Sequence, residues 1–330
     1  MHDDASPLST ASNRPPPCGR FAPSPSGLLH FGSLVAALGS FLTARSEGGR
    51  WLLRIEDIDT PRVVPGAADT ILHTLEAFGL CWDGPVVYQS RRLPHYEAAL
   101  RRLLAAGLAY PCSCSRQEVA RTAAKPLGAL LYPGTCRHGA HRPGQSTAIR
   151  LRTDGRIIRF HDLIQGPYSQ CLETAVGDFV IRRVDGLFAY QLAVVVDDAA
   201  QGITQVVRGS DLLDSTPRQI YLQQLLRLST PSHRHLPVVV DRFGHKLSKQ
   251  TRAEPVNYRQ PAPTLLAALC FLGQNPPPEL DAARLDDIWP WALANWHPER
   301  IPALPAIGWT QTPRLESVPA GGATVVTKEF

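Results

Sequence analysis

The period of apolar positions changes several times along this chain, and the changes divide it. Residues 1–17 mix Asp, Ser, Thr and Asn with the run Pro15-Pro16-Pro17 and show no period. They bury too little apolar surface to offset the entropy of ordering and read as a disordered tail. Cys18-Gly19-Arg20-Phe21 then reads as a short strand, broken by Ala22-Pro23-Ser24-Pro25-Ser26-Gly27. The next segment sets Leu34, Val35, Leu38, Phe41 and Leu42 on one face of a helix that Gly48-Gly49 ends. Trp51-Leu52-Leu53-Arg54-Ile55 is a second strand, running into the acidic stretch Glu56-Asp57-Ile58-Asp59. Strand, helix and strand in this order form a βαβ unit, the building block of parallel sheets. Two further helices follow, one through Ile71, Leu72, Leu75 and Phe78 and one from Tyr96 through Leu100, Leu103 and Leu104.

From residue 148 to about residue 161 two short alternating runs predict an antiparallel hairpin with Asp154-Gly155 as its turn, an insertion into the parallel sheet. The apolar run at 188–198 predicts a buried strand with Tyr190 near its end. A strand at 206–209, a helix from Pro217 to about Leu226 and a strand at 236–240 complete the sheet. Short helical stretches lie at 265–272 and 288–296, and from about Ile301 the chain again looks like tail. The expected fold is α/β: a Rossmann-type parallel sheet in two halves, 18–109 and 188–250, split by an α+β insertion over 110–187. A helical region over 251–300 and a flexible tail over 301–330 follow.

Composition narrows the class without choosing a function. At 330 residues, 44% hydrophobic and 19% charged, the chain is neither wholly disordered, nor collagen-like, nor a coiled coil. A net charge of +5 permits nucleic-acid binding, but surplus arginine is equally a route to solubility. Seven cysteines stand at 18, 81, 112, 114, 136, 171 and 270, and no apolar run follows the N-terminal Met-His-Asp-Asp. No window is long and apolar enough to cross a bilayer. Free thiols persist most easily in a reducing compartment, so the expectation is a cytoplasmic protein away from membranes, acting as a monomer.

Two motifs carry candidate chemistry. His30-Phe31-Gly32-Ser33 starts the first helix, where unpaired N–H groups and the positive dipole end suit phosphate and the small residues admit a nucleotide. Gly244-His245-Lys246-Leu247-Ser248-Lys249-Gln250 follows a late strand, where two lysines at the carboxyl edge of an open sheet can reach a triphosphate. Alone, the first reads rather as a surface cap and the second as a solvated basic loop.

Together, and in this order around a split sheet, Pro-x-Pro-x-Gly-x-x-His-x-Gly and Lys-Leu-Ser-Lys resemble the two signatures of class I aminoacyl-tRNA synthetases. Gly19-Arg20-Phe21-Ala22-Pro23-Ser24-Pro25-Ser26-Gly27, Arg54-Ile55-Glu56-Asp57-Ile58-Asp59-Thr60-Pro61-Arg62 and Val207-Arg208-Gly209-Ser210-Asp211-Leu212 are similar to the glutamate branch. His30-Phe31-Gly32-Ser33-Leu34, the Ile58-Asp59 ending and Lys249-Gln250 resemble its truncated members, which attach glutamate to queuosine in the anticodon of tRNA(Asp). The resemblance runs from about Gly19 to about Gly273, and 80 residues follow Gln250, where ordinary glutamyl enzymes carry a long anticodon-binding region.

The resemblance implies ATP with Mg²⁺ as substrate complex, L-glutamate activated without tRNA, and the queuosine-bearing anticodon loop of tRNA(Asp) as partner. It makes His30, Lys246 and Lys249 catalytic, with His30, Gly32, Ser33 and Lys249 on ATP. A glutamate pocket needs cations for two carboxylates and an anion for one ammonium. Arg20 and Arg208 can supply the first, Glu56 the second and Tyr190 a hydroxyl; the family match adds Phe21, Ala22, Pro23 and Ser24. Arg91-Arg92 and Arg101-Arg102 can hold flanking phosphates or simply form a solvated face. Cys112-x-Cys114 and Cys136 offer three zinc ligands where a structural site wants four. Tyr132 matches the family's unusual fourth ligand, and His138 is the alternative. Two other functions stay open: a truncated glutamyl- or glutaminyl-type synthetase charging a tRNA 3′ end, and a non-catalytic RNA-binding paralog.

Overall fold

A computed structural model describes residues 16–122, 131–139, 142, 144–247 and 254–309. In chain order, the first half contains β1 (Cys18–Phe21), α1 (Phe31–Ser46), β2 (Arg50–Ile55), α2 (Ala67–Ala77), β3 (Val87–Tyr88) and α3 (Leu93–Ala105). The insertion supplies β4 (Ala109–Cys112), α4 (Arg116–Thr122), β5 (Ala148–Leu151), β6 (Ile157–Asp162), β7 (Gly166–Cys171), α5 (Leu172–Ala175) and β8 (Val180–Arg182). The chain continues with α6 (Tyr190–Ala200), β9 (Gln205–Gly209), α7 (Thr216–Leu226), β10 (Ser232–Leu236), β11 (Val238–Val240), α8 (Pro261–Phe271), α9 (Leu285–Ala294) and β12 (Ala306–Gly308).

The first βαβ unit forms as its pattern predicts. β1 pairs in parallel with β2, and β2 with β3. β9 pairs in parallel with β10. Thr204 N donates to Cys18 O at 2.9 Å, so the two halves meet edge to edge with β1 beside β9. Helix α1 lies across both halves, its Leu34, Leu38 and Leu42 fully buried. A methyl group on Gly39 would stand 2.7 Å from Leu236 Cδ1, so α1 packs here directly against the Leu236 side chain of β10, which would have to shift. Helices α1, α2, α8 and α9 share one apolar core, while α3, α6 and α7 share another with Leu151, Ile158 and Ile181 of the insertion.

Three expectations differ from the structure. The run at 188–198 is a helix from Tyr190 onward, not a strand. Its three valines favour strands, but β-branched residues cost a helix only tenths of a kcal/mol each, about the scale packing overrides. Burial of Leu192, Ala193, Val194 and Val195 among α3 and α7 decides the matter. The hairpin around Asp154-Gly155 does not form either. β5 pairs with β4 and β8, and β6 pairs with β7. The β6–β7 turn is organised by Asp162, whose Oδ1 accepts from Ile164 N and Gln165 N at 3.0 and 2.8 Å. Finally, residues 301–309 differ from their reading as tail. Ile301 is buried, β12 pairs in parallel with β11, and the Trp309 ring stacks on Phe31 at 4.0 Å. Proline at 302 and 305 masks this strand in composition, as suits a strand edge. No helix among the described residues is long and apolar enough to cross a membrane.

Candidate active site and candidate metal centre

The carboxyl ends of β1, β2 and β9 bring Arg20, Glu56 and Arg208 to one edge of the sheet. Arg20 is buried, and its Nε donates to Asp198 Oδ1 at 3.2 Å. Arg54, wholly buried one turn of the pleat before Glu56, shares that oxygen at 2.8 Å and reaches Glu56 Oε1 at 3.4 Å. Asp198 is held below the ordinary carboxylate range: burial opposes its charge, but Arg20 and Arg54 outweigh it. Glu56 goes the other way, pushed up by burial more than Arg54 and Arg20 pull it down. The adjacent Asp197 accepts from Gln89 Nε2, Arg92 Nε and Tyr96 OH at 2.9, 2.5 and 2.7 Å, which anchors α6 under the site.

Arg208 is bonded differently. Its Nη1 donates to Tyr190 OH at 3.2 Å and its Nη2 to Thr216 Oγ1 at 2.8 Å and Leu212 O at 3.3 Å. Its Nε donates to His235 Nε2 at 3.0 Å, across the β9–β10 register in which the two residues are partners. Tyr190 therefore meets Arg208 from the first turn of α6 instead of from a strand end. Burial pushes the Arg208 guanidinium down from its usual value.

A cleft beside this edge is lined by Ser24, Pro25, Ser26, Glu56, Asp59 and Arg62. Pro23 O accepts from Glu56 N at 3.0 Å, which ties the loop after β1 to the end of β2. Phe21 instead turns its ring into the core, stacked on Trp51 with centroids 6.3 Å apart, so only its backbone can face a ligand. Ala22 is half-buried and Ser24 exposed on the same loop.

His30 is the N-cap of α1, its Nδ1 accepting from Ser33 N at 3.3 Å. A Cβ on Gly32 would lie 3.2 Å from the imidazole Cε1, so glycine lets the ring fold over the helix's first turn. Lys246 sits in a hairpin returning along β11 and donates to Asp211 Oδ2 at 2.6 Å. Lys249 lies outside the described residues. The chain that resumes after 248–253 is tied to the motif at the start of α1: Pro255 bridges His30 and Val256 N donates to Leu29 O at 2.9 Å. The segment that follows the second signature thus runs beside the first.

Of the arginine pairs, Arg92 is committed to buried Asp197 and Arg102 to Leu226 O, which leaves them to the fold. Arg54, Asp197, Asp198, Asp162, Thr216 and His235 were not anticipated as site residues. For Arg54, Asp197 and Asp198 the signal was present: a polar side chain inside or ending an apolar run needs a buried partner.

In the insertion, the Sγ atoms of Cys112, Cys114 and Cys136 lie within 4.8 Å of one another. Tyr132 OH stands 3.3 Å from Cys112 Sγ and 3.6 Å from Cys114 Sγ, and accepts from Cys136 N at 3.0 Å. His138 is exposed and does not join the group. The Arg150 guanidinium caps the Tyr132 ring at 3.8 Å and its Nε donates to Cys112 Sγ at 3.3 Å. Burial pushes the Cys114 thiol up to about 11. Three sulfurs and one phenol oxygen form a donor set that suits zinc.

Residues 18–263 match the family model of the catalytic domain of class I tRNA synthetases (E and Q). A glutamyl-Q tRNA(Asp) synthetase of Aromatoleum aromaticum is 60% identical over 289 residues, covering 87% of this chain and 91% of that protein. One from Chromobacterium violaceum is 56% identical, covering 87% and 96%. Among solved structures, a glutamate-tRNA synthetase from Elizabethkingia anophelis superposes with a TM-score of 0.75 at 25% identity, covering 90% of this chain and 68% of that one. A glutamate tRNA ligase from Elizabethkingia meningosepticum, in complex with its amino acid, gives 0.74 at 26% identity, covering 90% and 67%.

Proposed function

The chain belongs to the glutamyl-Q tRNA(Asp) synthetases within the class I tRNA synthetases, and from that premise we propose how its residues divide the reaction. The enzyme activates glutamate with ATP and transfers it to queuosine in the anticodon of tRNA(Asp). One observation carries the residue assignment. Arg208 is buried among neutral acceptors and forms no ion pair among the described residues, while burial raises the Glu56 carboxyl in spite of Arg54 at 3.4 Å, so Arg208 has room for an anion and Glu56 gains from a further cation. An α-ammonium on Glu56 and a carboxylate on Arg208 with Tyr190 relieve both, while Arg20 and Ser24 serve the second carboxylate.

ATP, as its Mg²⁺ complex, lies across the carboxyl ends of the strands with His30, Gly32, Ser33 and Lys249 on its phosphates. A carboxylate oxygen of glutamate attacks the α-phosphate and pyrophosphate leaves. His30 and Lys249 stabilise the developing charge, with Lys246 assisting once it exchanges Asp211 for phosphate. A hydroxyl of the queuosine cyclopentene diol then attacks the acyl carbon, and AMP leaves. No protein nucleophile is required; the catalysis is positioning and electrostatics. Cys112, Cys114, Cys136 and Tyr132 would hold one zinc ion, which would cross-link β4 to the loop bearing Tyr132 and Cys136. The protein acts as a monomer in the cytoplasm.

The test is exchange of pyrophosphate into ATP without tRNA. Glutamate should support it and glutamine should be poorer by about a hundredfold or more, because a neutral amide leaves buried Arg208 without a counter-charge. A tRNA(Asp) lacking its 3′-terminal adenosine should still accept glutamate, and one lacking queuosine should not. The reverse pattern would make this a 3′-end-charging enzyme.

A further inference from the structure

Arg20 and Arg54 both face carboxylates, but Arg208 does not: its four hydrogen-bond acceptors are Tyr190 OH, Thr216 Oγ1, Leu212 O and His235 Nε2, all uncharged. A guanidinium buried to 6% exposure with only neutral hydrogen-bond acceptors keeps much of its attraction for an incoming anion, which a directly paired carboxylate would spend. The arrangement depends on His235 presenting a lone pair, not a proton, to Arg208. Behind it, His235 Nδ1 lies 2.6 Å from Asp162 Oδ2, and both side chains are fully buried. The other oxygen of Asp162 is fixed by three backbone donors, Ile164 N, Gln165 N and His235 N, at 3.0, 2.8 and 3.1 Å. The carboxylate can therefore only accept from Nδ1–H, and a neutral imidazole with its proton on Nδ1 has its acceptor on Nε2.

We infer that Asp162 and His235 are positioning residues for glutamate recognition: Asp162 sets the His235 tautomer, and His235 holds Arg208 in line with Tyr190 without neutralising it. This inference rests on the glutamate reading of the site. Burial also keeps His235 uncharged, which removes a like charge from Arg208.

Asp162→Asn tests it with little change of shape. The three backbone donors demand the amide oxygen, so the amide nitrogen must turn to His235 Nδ1, forcing the proton onto Nε2 and against the guanidinium. We expect a folded protein whose KM for glutamate in pyrophosphate exchange rises roughly 10- to 100-fold, with KM for ATP and kcat within about threefold of wild type. The ¹⁵N shifts of His235 should report the opposite tautomer. His235→Gln, which can return a carbonyl oxygen to Arg208, should keep KM for glutamate within about threefold, and His235→Ala should raise it as Asp162→Asn does. If glutamate stimulates the wild type but leaves KM unchanged in folded Asp162→Asn, or if glutamate and ATP are affected alike, this inference fails alone. A wild type that does not respond to glutamate overturns the functional reading and this one with it.

Discussion

Asp198 is the hinge of the charge network beneath the site, and Asp198→Asn isolates its contribution. One oxygen, Oδ1, takes Arg54 Nη2 at 2.8 Å and Arg20 Nε at 3.2 Å, with side chains 0%, 4% and 8% exposed for Arg54, Arg20 and Asp198. Asparagine keeps the shape and an acceptor but removes the charge from two buried hydrogen bonds. Each charge-assisted bond of this kind contributes about 1.5 kcal/mol beyond its neutral counterpart, and breaking a buried pair outright costs about 3–5 kcal/mol. Arg54 retains Glu56 at 3.4 Å, so the loss stays at the lower end, about 3 kcal/mol. In a chain of this size, with an unfolding entropy of about 0.6–0.7 kcal/mol/K, that lowers the melting temperature by about 4–5 °C. The control is Asp185→Asn. Its contact with Arg183 is shorter, 2.5 Å, but the two side chains are 43% and 34% exposed, so solvent screening leaves it nearly worthless and the melting temperature should move by under about 2 °C. Thermal melts of both variants decide the point. Equal shifts would show that distance and not burial governs these pairs, and an unshifted Asp198→Asn would refute the network reading.

Metal analysis of purified protein should find about one zinc per chain, lost in Cys114→Ser with a lower melting temperature; Tyr132→Phe should weaken retention and His138→Ala should not. Lys249→Ala should slow pyrophosphate exchange by about a hundredfold with the melting temperature unchanged, since one fixed cation on a transition-state phosphate contributes about 3 kcal/mol. Asp178 predicts an acid limit for the insertion. Burial raises its pKa, but Arg137, Tyr110 and the Thr153 backbone outweigh it and hold the carboxyl below its ordinary 3.8. Its contribution is therefore complete above the unfolded value and lost as pH falls through the lower folded one. Acid melts should steepen below about pH 4, and Asp178→Asn should remove that part of the slope.

Much of the fold was legible because local pattern and long-range packing agree. The strand at 18–21, the helix bearing Leu34, Leu38 and Leu42, and the second strand all stand where their periods put them. The failures share a cause: each depends on a partner far away in sequence. Val194-Val195-Val196 reads as strand until α3 and α7 wrap it. The alternation at 148–162 is correct for both β5 and β6, but β5 takes its partner from β4, and the turn signal at Asp154-Gly155 is outcompeted by the Asp162 turn. β12 is three residues directly after Pro305 and becomes a strand only because β11 offers an edge.

The site divides along the same line, and the division follows from what each residue must do. The side chains proposed to meet substrate stand at strand ends or at the start of a helix: His30 and Lys246 announce themselves as polar groups in Gly- or Pro-containing loops, and Arg20 and Glu56 stand at the ends of β1 and β2. The groups that aim them must instead come from rigid elements, and rigid elements are apolar runs. Asp198 stands in the last turn of α6 after its alanines and valines, Arg54 interrupts the apolar run of β2, and His235 lies in β10. A buried charge tolerated in such a run has no stability of its own to offer; it persists only if its partners are built around it. Sequence shows the polar residue, but the partner of Asp198 lies 178 residues away in Arg20 and that of His235 lies 73 away in Asp162. Reading a site of this kind therefore means asking of every charge inside an apolar segment what neutralises it. Arg208, where among the described residues no carboxylate forms an ion pair, is the place where that question points outside the protein, to the substrate.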